Sequence, residues 1–159
     1  MSLILDGTAG VTGPATKVIV GTTTNDDAFA GYVGEVARAL STAVSFPATG
    51  TYGDAASISL TSGDWDVTIV GYQVANGAAV TSFGVGISST TGNSSTGLVN
   101  GDNALSLLTP STGAGNASFA IPNFRVSLSG TVTYYFKFTS NFTVATPQLN
   151  GRISARRVR

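Results

Sequence analysis

The chain has 159 residues with 8 basic and 8 acidic side chains, no histidine and no cysteine, one domain's worth of polypeptide. Zero formal net charge leaves no overall field to draw in nucleic acid or an anionic membrane. Without Cys there is no disulfide framework or thiolate chemistry, and without His no Ser-His-Asp triad, no Cys-His dyad and none of the commonest zinc sites.

Only 10% of residues are charged, against about 25% in an average soluble domain. The surface is therefore expected to be wetted by hydroxyls and amides, as suits a repeat-symmetric assembly or a particle facing the outside medium. No stretch reaches the roughly 20 apolar residues of a membrane span, and the first residues lack the basic and apolar regions of a secretory signal. A soluble chain, not exported by that route, is the expectation.

Residues 1–27, MSLILDGTAGVTGPATKVIVGTTTNDD, form a zone of short apolar triplets separated by Gly, Thr, Pro and Asn. Residues 3–5 and 18–20 are each long enough for a short strand and too short for a core of their own. They are expected to form an extended arm, an attachment or stem segment that needs a host. Asn25, Asp26 and Asp27 lack the spaced oxygen ligands of a calcium site and read as a solvated turn.

Residues 28–45, AFAGYVGEVARALSTAVS, fit two patterns. Phe29, Val33, Val36 and Leu40 make a helical stripe behind an Asn25 cap. Gly31 and Gly34 each cost a helix about 1 kcal/mol relative to Ala, which favours a strand over residues 33–40. A second short strand is expected at residues 43–46, closed by Pro47 and a turn at residues 50–53.

The most informative stretch is residues 56–74, ASISLTSGDWDVTIVGYQV. Ile58 and Leu60 alternate with Ser57, Ser59 and Thr61, the period of a half-buried strand. Thr61, Ser62, Gly63 and Asp64 are turn formers, so a hairpin is expected. Beyond the turn Trp65, Val67 and Ile69 share one face and Asp66, Thr68, Val70 and Tyr72 the other. Such a strand has apolar residues on both sides and hence two partners: its own core, which should hold Trp65, and a second layer or copy of the chain, which should meet Val70 and Tyr72. Asp64 and Asp66, two apart, invite comparison with a glycosidase pair, but a turn Asp more commonly caps backbone N–H groups. No catalytic residue, cofactor or metal ligand is expected.

Residues 81–88 read as a strand. Residues 90–115 are rich in Ser, Gly, Asn and Thr and are interrupted by the apolar residues 104–108, the pattern of a long functional loop. Residues 118–121, before Pro122, and residues 125–128 read as two short strands. Residues 131–138 alternate regularly: Val132, Tyr134, Phe136 and Phe138 oppose Thr131, Thr133, Tyr135 and Lys137. Residues 142–145 and 152–158 complete the series. About eight to ten short strands without a long helix predict an all-β chain, an antiparallel β-sandwich or jelly roll over residues 28–159, preceded by the arm of residues 1–27.

The C-terminal RISARRVR holds Arg152, Arg156, Arg157 and Arg159, half of the 8 positive charges. Alternation puts Arg152 and Arg156 on one face of an expected edge strand. There Arg152, Arg156 and Arg157 are expected to pair with carboxylates of a neighbouring subunit and to discourage aggregation. Asn93, Asn116 and Asn141 begin N-x-Ser/Thr triplets, which carry meaning only in a secreted eukaryotic protein.

Four stretches, SLILDGTAGVT at the start, AGYVGEV from Ala30, SISLTSGDWDV from Ser57 and RISARRVR at the end, together resemble the small β-rich domains of tail-fibre and related virion proteins of tailed bacteriophages. The resemblance covers the termini and roughly the middle third of the chain. It implies a homotrimeric, jelly-roll-like knob displayed on a virion, with no catalytic residues. Almost no shaft separates the LDGT segment from the knob, unlike a long fibre. Two functions follow as expectations. One is adhesion, in which the loops, with Tyr52, Tyr72 and Phe83 as aromatic resources, bind a bacterial surface glycan or protein. The other is a purely structural role as a tail-tip adaptor or capsid decoration protein. The arm would attach to other virion proteins, and neither nucleic acid nor membrane insertion is expected.

Overall fold

A computed structural model describes residues 28–108 and 116–159, together with the backbone of two short strands nearer the N-terminus. Those two, β1 (Ile4–Asp6) and β2 (Gly10–Thr12), pair antiparallel with each other. The expected strand at residues 18–20, and the turn at Asn25, Asp26 and Asp27, lie outside the described residues.

Eight further strands follow: β3 (Val36–Ser45), β4 (Gly53–Leu60), β5 (Gly63–Val74), β6 (Ala79–Ser88), β7 (Ala104–Leu108), β8 (Ala117–Leu128), β9 (Val132–Thr143) and β10 (Gln148–Arg157). No helix occurs among the described residues. Sheet I has the order β3-β10-β5-β8 and sheet II the order β4-β9-β6-β7, every pair antiparallel. Only the β6–β7 connection stays within one sheet; every other link between consecutive strands from β3 onward carries the chain to the opposite sheet. That alternation closes the eight strands into a two-sheet jelly roll.

The expected hairpin at Gly63 is therefore corrected. β4 lies in sheet II and β5 in sheet I, so Thr61 and Ser62 bridge the two layers. Alternation and turn residues look the same for a hairpin and for such an arch; the difference lies in the backbone of Gly63, whose φ of 129° L side chains rarely adopt. A Cβ there would stand 2.1 Å from Arg157 Nη1, so glycine is required on both counts.

Residues 28–35 contain turns rather than a helix, and β3 runs unbroken where two strands were expected. The apparent break is a bulge: the register jumps from Leu149↔Val44 to Gly151↔Ser41, and Ala43, at φ 50°, donates its N–H to Asn150 Oδ1 at 2.8 Å. The two short strands expected around Pro122 are likewise one, β8, with Pro122 and Asn123 in a register shift between Val67↔Phe124 and Ile69↔Ile121. Pro is tolerated because β8 is an edge strand.

Trp65, Val67 and Ile69 on β5 face Phe83, Val85 and Ile87 on β6 and Phe136 and Phe138 on β9 in one core. Trp65 is buried there and donates its indole N–H to Thr61 O at 2.9 Å. Aromatic rings tie the layers: Phe46 lies edge-on to Phe138 at 4.7 Å, and Phe119 bridges Phe83 and Phe136 at 5.0 and 5.9 Å. The rings of Phe119 and Phe136 fit because Gly71 and Gly151 are cross-strand neighbours. A Cβ on either would meet a ring carbon, at 2.3 Å from Phe119 and 2.7 Å from Phe136.

Candidate interaction surface on sheet I

The two sheets present different outer faces. On sheet II the segment between β6 and β7 lies over the strands. Asn103 is buried beneath it, its Oδ1 accepting from Val99 N–H at 2.7 Å and its Nδ2 donating to Ile87 O and Gly97 O. Lys137, which alternation sets on the face opposite Phe136 and Phe138, is fully buried there. It pairs with Asp54, its cross-strand neighbour, and donates to Gly92 O. Asp54 in turn accepts from Thr91 Oγ1 at 2.8 Å and Gly92 N–H at 2.7 Å. Burial pushes the Asp54 carboxyl up, but the hydrogen bonds from Lys137, Gly92 and Thr91 and the Lys137 charge outweigh it and hold the group below its ordinary value.

Among the described residues no segment lies over the outer face of sheet I. Register lines up Leu40, Arg152, Val70 and Ala120 across all four strands, with Tyr72 beside Asn150 in the next row. Leu40 is 74% exposed, and Val70 and Tyr72 are 40% exposed. Leu40, Val70, Tyr72, Asn150 and Arg152 line a shallow hollow of about 490 Å³. A second hollow of about 270 Å³ on the same face is lined by Val36, Asp66, Thr68, Asn123, Ser154 and Arg156. A third, of about 510 Å³, lies away from it between Phe46, Pro47 and residues 142–146 and has no charged lining residue.

The three aromatic residues expected to face a receptor do not converge. Tyr72 stands on the outer face of sheet I. Tyr52 is half-buried with its hydroxyl beside Gly84 on sheet II. Phe83 is a correction: at 1% exposure it belongs to the core and has no surface to offer. Its alternation with Val85 and Ile87 is the signal that places it inside.

The expected edge-strand arginines also need correction, because β10 lies between β3 and β5 in the interior of sheet I. Arg152 and Arg156 are exposed on its outer face. Arg157 has the opposite parity and is 4% exposed. It pairs within the chain, not with a neighbour: Nε donates to Glu35 at 2.8 Å, Nη2 to Thr61 Oγ1 at 2.6 Å and Nη1 to Ser62 O. Burial pushes the Glu35 carboxyl up, but the bonds from Gly31 N–H and Arg157, with the Arg157 charge, bring it below its ordinary value. Sharing a parity with Ile153 and Ala155 is what marks Arg157 as inward.

Asp64 and Asp66 are held in ion pairs. Asp64 binds Arg159 Nη2 at 2.8 Å and accepts from Ser127 Oγ at 2.6 Å. Asp66 is gripped by the fork of Arg125, whose own pKa is raised by that hydrogen bond. Among the described residues no group of three or more His, Cys, Asp or Glu side chains is placed to hold a metal ion. No protein-family model matches the chain, and no curated protein matches it.

Proposed function

We propose that this chain is a non-enzymatic structural protein of a tailed-phage virion, a trimeric tail-fibre or tail-tip knob that meets the host cell surface. The observation that carries the reading is the outer face of sheet I, where Leu40, Val70 and Tyr72 are exposed beside Arg152 in a broad shallow hollow. Such a face is suited to a partner rather than to a buried reacting group. The resemblance of the four sequence stretches to virion domains supplies the phage context, and residues 1–27 would join the knob to other virion proteins.

A second reading, capsid decoration with a purely structural role, is favoured by one observation. The segment between β6 and β7, expected as an adaptable receptor loop, is pinned down by Asn103 and by the Lys137–Asp54 pair. Labelled protein incubated with a panel of intact Gram-negative and Gram-positive cells separates the two. Saturable binding supports adhesion. No binding by an assembled trimer points to decoration, and a stable monomer at micromolar concentration, read by mass photometry, overturns the trimeric knob.

A further inference from the structure

Arg125, Lys137, Arg157 and Arg159 are each neutralised by a carboxylate within the chain. Arg152 and Arg156 have no hydrogen-bond or ion-pair partner among the described residues, and both project from the outer face of β10. Each opens into its own hollow, Arg152 beside Leu40, Val70, Tyr72 and Asn150, and Arg156 beside Val36, Thr68 and Ser154. Four residues on one strand separate them by about 13 Å. Between them Ser154 Oγ and Thr68 Oγ1 sit 3.0 Å apart. The one carboxylate in the second hollow, Asp66, is neutralised by Arg125.

We propose that the outer face of sheet I binds an acidic polysaccharide laid along β10, with a carboxylate of one sugar on Arg152 and that of a second on Arg156. The planar guanidinium fork matches a carboxylate through two parallel N–H···O bonds. The C–H faces of the sugar rings cover Tyr72, Val70 and Leu40, and the Ser154 and Thr68 hydroxyls meet ring hydroxyls. A single small anion would engage one arginine and leave the other bare. Polyphosphate has the repeated charge but no apolar face. An acidic peptide strand finds no free backbone on β10, whose N–H and C=O groups are taken by β3 and β5 on its two sides.

A second copy of the chain is the weaker occupant. A two-fold contact would set Arg152 and Arg156 against their own copies, and Asp102 is the single exposed carboxylate without an ion-pair partner among the described residues for a heterologous contact. Val70 and Tyr72 thus pass to the ligand rather than to the subunit contact expected from the sequence. The proposal rests on the adhesion reading and names the chemistry of its receptor.

Calorimetric titration of the full chain with a hexamer of α-1,4-linked galacturonate tests it, with maltohexaose, polyphosphate and an Asp hexapeptide as the other arms. Galacturonate is expected to bind, maltohexaose not, and the other two more weakly. Arg152→Gln and Arg156→Gln should each weaken binding by about tenfold while leaving the melting temperature unchanged, since both side chains are exposed. No binding of galacturonate, tighter binding of polyphosphate or peptide, or undiminished affinity in both variants overturns the proposal. Whole-cell binding that is the same for wild type and both variants overturns it while leaving adhesion standing. Galacturonate binding through Arg152 without cell binding upholds it and removes adhesion.

Discussion

The guanidinium of Arg157 stacks on the indole of Trp65, its Cζ 4.3 Å from the ring centroid. The same guanidinium binds Glu35, Thr61 and Ser62, and Arg157 N–H and O pair with Glu35 O and Gly34 N–H. One side chain thereby joins the C-terminal end of β10 to the turn before β3 and to the arch between the sheets. The cation–π contact and the ion pair act on one desolvated group, where each is stronger than at an open surface.

Arg157→Met is expected to destabilise the protein by about 3 kcal/mol, because it leaves Glu35 without its cation. Urea denaturation reads this as a lowered midpoint with an unchanged slope. Arg157→Lys should recover little of it, since a single ammonium cannot reach Glu35, Ser62 and Thr61 while lying over the indole. A loss below about 0.5 kcal/mol in the Met variant would show that the network adds nothing.

Trp65→Ala removes the largest side chain of the core and breaks the bond to Thr61 O. The expected cost is about 3 to 5 kcal/mol. Native fluorescence of the sole Trp should be blue-shifted and move to that of water-exposed indole on unfolding. A native spectrum of exposed indole would contradict its burial.

Gln73 on β5 is fully buried, and neither of its amide atoms has a hydrogen-bond partner among the described residues. An unmatched buried amide costs more than an apolar group of similar shape. Gln73→Met should therefore be neutral or stabilising by about 1 kcal/mol, read as an equal or higher denaturation midpoint. A clear destabilisation would mean that the amide is satisfied in solution.

The strands that alternate over eight or more residues were legible from sequence, because period two fixes both the element and its faces; β5, with Trp65, Val67 and Ile69 inside, is the clearest case. Strand partners were not legible, since alternation is local and the arch at Gly63 depends on a backbone rotation that a hairpin turn would disguise with the same residues. Parity gave the side of Lys137 but not its burial, because the segment that covers it comes from elsewhere in the chain and no periodicity announces it. The surface of sheet I was half visible. Val70 and Tyr72 were marked by their own strand, whereas Leu40 and Arg152 reach them only through the order β3-β10-β5.

Acid should loosen the cover of sheet II through Asp54. Its folded pKa lies below the ordinary carboxylate value, so its stabilising effect is complete above the unfolded value of about 4 and is lost as pH falls through the lower folded value. Amides of residues 89–103 should be protected at pH 7, and their protection relative to the intrinsic exchange rate should fall as the pH drops below the ordinary carboxylate value. Asp54→Asn should lose this acid step and be less stable by about 3 kcal/mol at pH 7, because it strips a buried lysine of its counter-charge. Identical acid profiles for variant and wild type would locate the acid sensitivity elsewhere.

Removing residues 1–27 tests the division of the chain. β3 to β10 find all their ladder partners among themselves, and β1 pairs with β2. The core is built from residues 37–155, and the interlayer ties of Arg157 involve residues 31–65 and Arg157 itself. The apolar triplets at the start are too short to add an independent core, so the truncated chain should keep a β-type far-ultraviolet spectrum and a melting temperature within a few degrees of the full chain. It should also retain galacturonate binding, because both hollows are formed by residues 36–158. On the virion reading proposed above, incorporation into particles is the property it should lose. Unfolding of the truncated chain would make the segment part of the domain, and normal incorporation would place the attachment surface on the jelly roll itself.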